Sequence, residues 1–275
     1  MKITDETIRD LKEKANNIRK SVVEAVYSAN SGHPGGSLSA ADILTVLYFN
    51  QMNIDPKDPK NENRDRFVLS KGHASPVLYA TLAERGFFDK EEIKTFRKLG
   101  SMLQGHPDMK GVPGVDMTTG SLGQGLSAAN GMALASKLDE KGYRVYALLG
   151  DGEIQEGQIW EAAMTSSHYK LDNICVIVDN NNLQIDGNVS DVMNIHPIDK
   201  KFESYGFEVF TVNGNDIDEL ISVFEKAKTV KGKPTAIIAK TVKGKGVSYM
   251  ENQAGWHGKA PKEEEYKIAM EELNK

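Results

Sequence analysis

At 275 residues, with 39% apolar and 27% charged residues, the chain has an ordinary soluble globular composition, long enough for one large α/β domain or two small ones. A net charge of −5 argues against a nucleic-acid-binding surface, and no apolar run approaches membrane-spanning length. The single cysteine, Cys175, lies in an apolar run and is expected to pack; with no internal disulfide possible, a reducing cytoplasm is the expected compartment.

Thr4 is placed to cap a first helix, with Asp5 and Glu6 at its positive end. Ile8, Leu11, Ala15, Ile18, Val22, Ala25 and Val26 keep helical spacing to about Ala29. The charged, helical start MKITDETIRDLKEK is unlike a secretory signal. Glycines and Pro34 between Ser31 and Ser37 predict an irregular loop that displays His33, followed by a helix over 39–49. Residues 53–66 are polar and carry prolines, as a surface connection does. A short strand over 67–69 ends in the loop Ser70-Lys71-Gly72-His73-Ala74, and helices are predicted to about Arg85 and over 90–99.

Of the six histidines, His33, His73 and His106 each follow a glycine and His257 precedes one. Small-residue loops of this kind present side chains to ligands, and imidazoles hydrogen-bond sugar hydroxyls and move protons near neutral pH. No pair has zinc-type spacing, so metal ligation is the weaker alternative. His168 and His196 read as surface residues. The run Gly120-Ser121-Leu122-Gly123-Gln124-Gly125 leads into a helix over 126–138; no strand ends just before it, which counts against a dinucleotide site.

The stretch from Gly150 to Gly187 organises the rest. The runs 145–149 and 174–178 read as buried parallel strands, with a helix over 156–169 between them and Ile159, Ala162, Ala163 and Thr165 facing inward. Ligands of such βαβ units sit beyond the strands' carboxyl ends, where Asp151 leaves one strand and residues 180–182 leave the other. A carboxylate, amide oxygens and a nearby carbonyl form a hard oxygen set suited to Mg²⁺, and Gly150 and Gly152 let backbone approach a phosphate. A lone GDG is also the makeup of an ordinary strand-end turn. Beyond it the chain alternates: helix over 196–204, strand over 207–212, helix over 217–228, strand over 235–239. The basic, glycine-rich 240–246 is either a solvated loop or an attractor of phosphorylated ligands. The tail from 261 to 275 is amphipathic, with Tyr266, Met270 and Leu273 on one face.

GHPGG, LSKGHA, QGHP, GSLGQG, GDG-x-x-QEG and DNNNLQIDG occur here in the order found in transketolases, and the likeness covers nearly the whole chain. The resemblance implies the diphosphate-binding fold of thiamine-diphosphate enzymes, a parallel sheet flanked by helices. It implies thiamine diphosphate and Mg²⁺, or another divalent ion such as Ca²⁺ or Mn²⁺, held by Asp151, Asn181 and the carbonyl of Leu183. By the same resemblance His73, His257, Asp151 and Gly152 lie on the diphosphate side. Gly120, Ser121 and Leu122 meet the aminopyrimidine ring, and His33, His106 and His257 face the sugar. Ser121 departs from the proline common in full-length members, which leaves the main-chain path there less defined. Glu156 resembles a buried acid linking two cofactor sites across a subunit interface; as a residue alone it reads equally as a first-turn acid on the helix dipole. Trp160 and Glu161, further along, read as packing or surface residues.

The resemblance also implies ketol transfer between sugar phosphates, as in the pentose phosphate pathway, with the pyrimidine-binding and C-terminal domains outside this chain. The expected arrangement is therefore one domain over 1–275. It would form the N-terminal subunit of a heterotetramer of two pairs, each pair completed by a separate C-terminal subunit. The rivals are a 1-deoxyxylulose-5-phosphate synthase-like subunit, which shares GDG and NN but fits the other motifs less well, and a non-catalytic cofactor-binding subunit.

Overall fold

The apolar runs become one five-stranded parallel sheet in the computed structural model, which describes residues 4–275. Its strands are β1 (Arg66–Leu69), β2 (Val145–Gly150), β3 (Ile174–Asn180), β6 (Glu208–Asn213) and β7 (Thr235–Lys240), in the order β1-β2-β3-β7-β6. A two-residue hairpin, β4 (Leu183–Gln184) with β5 (Gly187–Asn188), lies outside it and runs into the single turn α7 (Val189–Val192). Gly150 pairs with Asp179 and Asn180 with Lys240, so the carboxyl ends of β2, β3 and β7 finish level at one edge.

The strands read as unbroken apolar runs because both faces are covered. Tyr146, Leu148, Cys175, Ile177 and Ile237 face a core with α1 (Asp5–Ala29), α3 (Ala41–Val46), α4 (Ser75–Arg85) and α9 (Ile217–Thr229). Val145, Ala147, Leu149, Val176 and Ile238 face a second core with α5 (Gln124–Leu138), α6 (Gly157–His168) and α8 (Ile198–Ser204). Cys175 is fully buried, and burial pushes its thiol up to about 12, so it packs rather than reacts. The C-terminal α10 (Glu263–Glu272) returns to α1, where Tyr266 stacks on Tyr27 with ring centres 4.1 Å apart. Thr4 caps α1 as expected, accepting from the Thr7 amide, while residues 1–3 of the charged N-terminal stretch lie outside the described residues. No helix among the described residues is long and apolar enough to cross a membrane.

Four expectations change. The segment after His33 is a helix, α2 (Pro34–Ser39), not an irregular loop. Pro34 sits in its first turn, where its missing N–H costs nothing, and all six residues are buried, so packing outweighs the poor helix propensity of glycine. The helix predicted over 39–49 is accordingly divided at Ala40 between α2 and α3, and ends in a π turn over Leu47–Gln51. The helix predicted over 90–99 is a 3₁₀ turn, Lys90–Thr95, after which the chain turns sharply: Phe96 inserts fully into the core and Arg97 takes a φ of 58°. On α6, Ser166 rather than Thr165 is the buried residue, bonded to Asn130 and the Ala162 carbonyl. His168 and His196 are exposed, as expected. Trp160 packs on Phe202 and Tyr205, and Glu161 is exposed.

Candidate active site

The level carboxyl edge of the sheet opens into a cavity of about 250 Å³. Six segments furnish it, one of them the loop of Gly120 and Leu122. After β1 come Lys71 and His73; α2 and the residue before it bring Gly36 and His33; Asp151 follows β2; Asn181 and Leu183 follow β3; Lys243 and His257 follow β7.

Asp179, the last residue but one of β3, binds these segments together. It is fully buried and paired with the Lys71 ammonium, which also donates to the Gly36 carbonyl at 2.7 Å. Its Oδ2 accepts from Ser39 Oγ at 2.6 Å and Asn181 Nδ2 at 3.3 Å, and its Oδ1 accepts from Thr241 Oγ1. A buried carboxylate needs this many donors to offset desolvation.

Asp151 differs: it is 3% exposed and no cationic side chain forms an ion pair with it among the described residues. Its oxygens accept only from backbone, Gly152 N at 2.8 Å and Asn182 N; a φ of 61° at Asn182, tolerable for asparagine, aims that N–H. Burial, then the negative charge of Asp179, push Asp151 up to about 7. Lys243 sits opposite, its Nζ donating to the Leu183 carbonyl at 3.1 Å and lying 3.0 Å from His257 Nδ1. Desolvation brings Lys243 down to about 8. A lysine ammonium therefore stands on one of the oxygens expected to hold a cation, beside a buried carboxylate lacking a counter-ion. Asn181 Oδ1, which accepts from Leu183 N at 3.2 Å, adds an amide oxygen. This donor set fits a small hard divalent ion that keeps its remaining positions for phosphate and water. Consistent with so few carboxylates, no group of three or more His, Cys, Asp or Glu among the described residues is arranged to hold a metal.

His33, His73 and His257 form a triangle with ring centres 5.0–5.4 Å apart. Burial and neighbouring cations lower them to about 4, 2 and 3 respectively, so all three are neutral imidazoles at pH 7. His33 Nδ1 is buried with no hydrogen-bond partner among the described residues.

The sequence-predicted residues do not all meet in one cavity. Gly120, Leu122 and Gly152 line it with Asp151, Asn181, Leu183 and the three histidines. His106 does not; it is exposed and lies against Gly120, where an added Cβ would come within 3.2 Å of its ring. Ser121 is exposed beside Leu122. Glu156, expected as a buried acid, is exposed on this chain; it is the residue before α6, with extended backbone, because a 3₁₀ turn, Glu153–Gln155, turns the chain outward first.

Lys71, Lys243 and Glu153, which line the cavity, and Asp179, which braces it, are residues that sequence reasoning misses. Lys71 lies inside the LSKGHA motif and Lys243 inside the basic loop, but a lysine signals a site only once its buried partner is known. Arg97 is a further omission: it donates to Ser31 Oγ at 2.7 Å and packs against Gly105, joining the loop of His33 to the loop of His106.

Residues 11–274 match the family described as transketolase, thiamine diphosphate binding domain. The chain is 46% identical to the 6-deoxy-6-sulfo-D-fructose transketolase subunit SqwG of a Clostridium species, across 97% of both chains. It is 45% identical to an apulose-4-phosphate transketolase subunit of Phocaeicola vulgatus, across 93% of this chain and 91% of that one. Human transketolase is 47% identical over 92% of this chain, which spans only 40% of the human protein. The crystal structure of Campylobacter jejuni transketolase superposes with a TM-score of 0.91 at 40% identity, over 97% of this chain and 43% of that one. The chain thus belongs to the transketolase family, as its thiamine-diphosphate-binding domain.

Proposed function

We propose that this chain is the N-terminal subunit of a two-chain transketolase, which moves a two-carbon ketol unit from a ketose phosphate to an aldose phosphate. The observation that carries the reading is the cavity itself: an uncompensated buried carboxylate, an amide oxygen and a carbonyl converge opposite two lysines and three neutral histidines. Asp151, Asn181 and the Leu183 carbonyl would hold Mg²⁺, and Lys71, Lys243, His73 and His257 would neutralise and hydrogen-bond a diphosphate. Bound thiamine diphosphate supplies a nucleophilic carbon and an electron sink for breaking and making a carbon–carbon bond. The protein's own part is to orient and to handle protons. Each neutral imidazole has one nitrogen that donates and one that accepts, so His33 and His257 can grip a sugar hydroxyl and take its proton when the adjoining bond breaks. His106, outside the cavity but against Gly120, contacts the donor at the mouth.

The pyrimidine-binding and C-terminal domains reside, in this reading, on a separate subunit, the two chains assembling as a heterotetramer of two pairs. The names of these two relatives, each matched over more than nine-tenths of its own length and each called a subunit, support this. Those two names carry different sugars at nearly equal identity, so the distal end of the substrate is read outside the shared domain. Glu156, exposed here, becomes buried only on assembly and there serves as a link between sites. The cytoplasm suits a chain whose one cysteine is inert.

Ketol transfer measured with thiamine diphosphate and Mg²⁺, for this chain alone and with its companion, tests the proposal. Turnover only in the mixture is expected. Turnover by this chain alone would remove the need for a partner, and none in the mixture despite bound cofactor would favour a non-catalytic subunit.

A further inference from the structure

Glu153 lies two residues beyond Asp151, lines the same cavity and is 3% exposed, yet neither the ion nor the substrate needs it. A second carboxylate is out of place in a cleft meant for a diphosphate, since like charges repel strongly where water is excluded. Its partners explain why it is there. Oε1 accepts from Ser70 Oγ and from Gly123 N at 3.1 Å, and Oε2 accepts from Gly150 N at 3.0 Å. These donors come from three segments distant in sequence. Ser70 precedes Lys71 and His73, Gly123 follows Gly120 and Leu122, and Gly150 precedes Asp151. Each segment supplies cavity-lining groups. The join is tight as well: an added Cβ on Gly125 would lie 2.7 Å from Ser70 Cα, so α5 sits directly on the end of β1.

We propose that Glu153 is a positioning residue for the cofactor: one carboxylate fixes the spacing between the diphosphate segments at 70–73 and 150–152 and the ring-contacting segment at 120–123. The inference rests on the reading that this cavity holds thiamine diphosphate. Three of the carboxylate's roughly four acceptor sites are used on donors from these segments, which is how the site tolerates its charge. A glutamine cannot replace it. With its oxygen toward Ser70 and Gly123, its NH₂ meets the Gly150 N–H; turned over, its NH₂ meets the Gly123 N–H. Either way two donors oppose each other and one loop must move.

The test is the thiamine-diphosphate dissociation constant at saturating Mg²⁺, by calorimetry on the chain together with its companion. It is measured for wild type, Glu153→Gln, Ser70→Ala and Ser166→Ala. Ser166 is equally buried, bonded to Asn130 between α5 and α6, and absent from the cavity lining, so it reports loss of stability alone. Glu153→Gln is expected to weaken cofactor binding about tenfold or more and Ser70→Ala about threefold, while Ser166→Ala lowers the melting temperature and leaves the constant within about twofold. Unchanged affinity in Glu153→Gln, or equal weakening in Ser166→Ala, overturns the proposal. Should Glu153→Gln not fold, an unchanged constant in Ser70→Ala overturns it. Failure of the wild type to bind thiamine diphosphate would instead overturn the underlying reading of the cavity.

Discussion

His73 carries its lowered proton affinity as a property of its position: desolvation first, then the Lys71 and His257 charges. The sign of the consequence is fixed. A histidine whose folded pKa lies below the ordinary 6.5 leaves the unfolded chain binding more protons, so its contribution to stability is full above 6.5 and is lost as pH falls toward the folded value. The urea midpoint of the wild type should therefore fall more between pH 6.5 and 4.5 than that of His73→Asn, the difference between the two isolating this group from Asp151, whose raised pKa acts in the opposite direction. Asp151→Ala should abolish Mg²⁺-dependent thiamine-diphosphate binding in calorimetry; intact binding would refute the metal assignment. His106→Ala, at the mouth rather than within, should lower kcat for the ketose donor by about tenfold to a thousandfold while cofactor affinity is kept; normal donor kinetics would take it out of the site. At this scale the sequence shows residues whose signal is local. Asp151 and Asn181 stand at strand ends between glycines and asparagines, and the four histidines stand beside glycines. Asp179 and Glu153 give no such sign, because most of their donors, such as Ser39 and Gly123, lie 30 to 140 positions away and only the fold brings them together.

Along α5, two glycines show how tertiary packing decides an element's energetics. Gly125 is buried against Ser70, whereas Gly131 faces open space, with nothing among the described residues within 4 Å of an added Cβ. Gly131→Ala should therefore stabilise the chain by up to about 1 kcal/mol through helix propensity. Gly125→Ala should cost about 1–3 kcal/mol by overpacking, although the same propensity favours it. Urea titrations of the two variants giving the same sign would contradict this account. The same contest explains which elements are legible. Period and apolar runs mark the sheet, α1, α5, α6 and α9. They fail at 34–39, where burial forces a glycine-rich segment into a helix, and at 90–99, where the demand for Phe96 in the core stops the helix early.

As a whole the molecule presents the cavity at one edge, with apolar Leu122 and Ile185 at its mouth, 39% and 67% exposed. Exposed apolar side chains around a polar cleft suit a surface covered by another chain. Sedimentation of the mixed subunits should accordingly show a species of two pairs, and a mixture that sediments as separate chains would dismiss the assembly. The insertion of β7 between β3 and β6 sets the order in which this cleft can come into being. Its wall is drawn from His33 at one extreme and His257 at the other, so the wall is incomplete until residue 257 has been made. A polypeptide cut before Lys243 would retain every strand of the sheet yet lack Lys243 and His257 from the wall of the cavity.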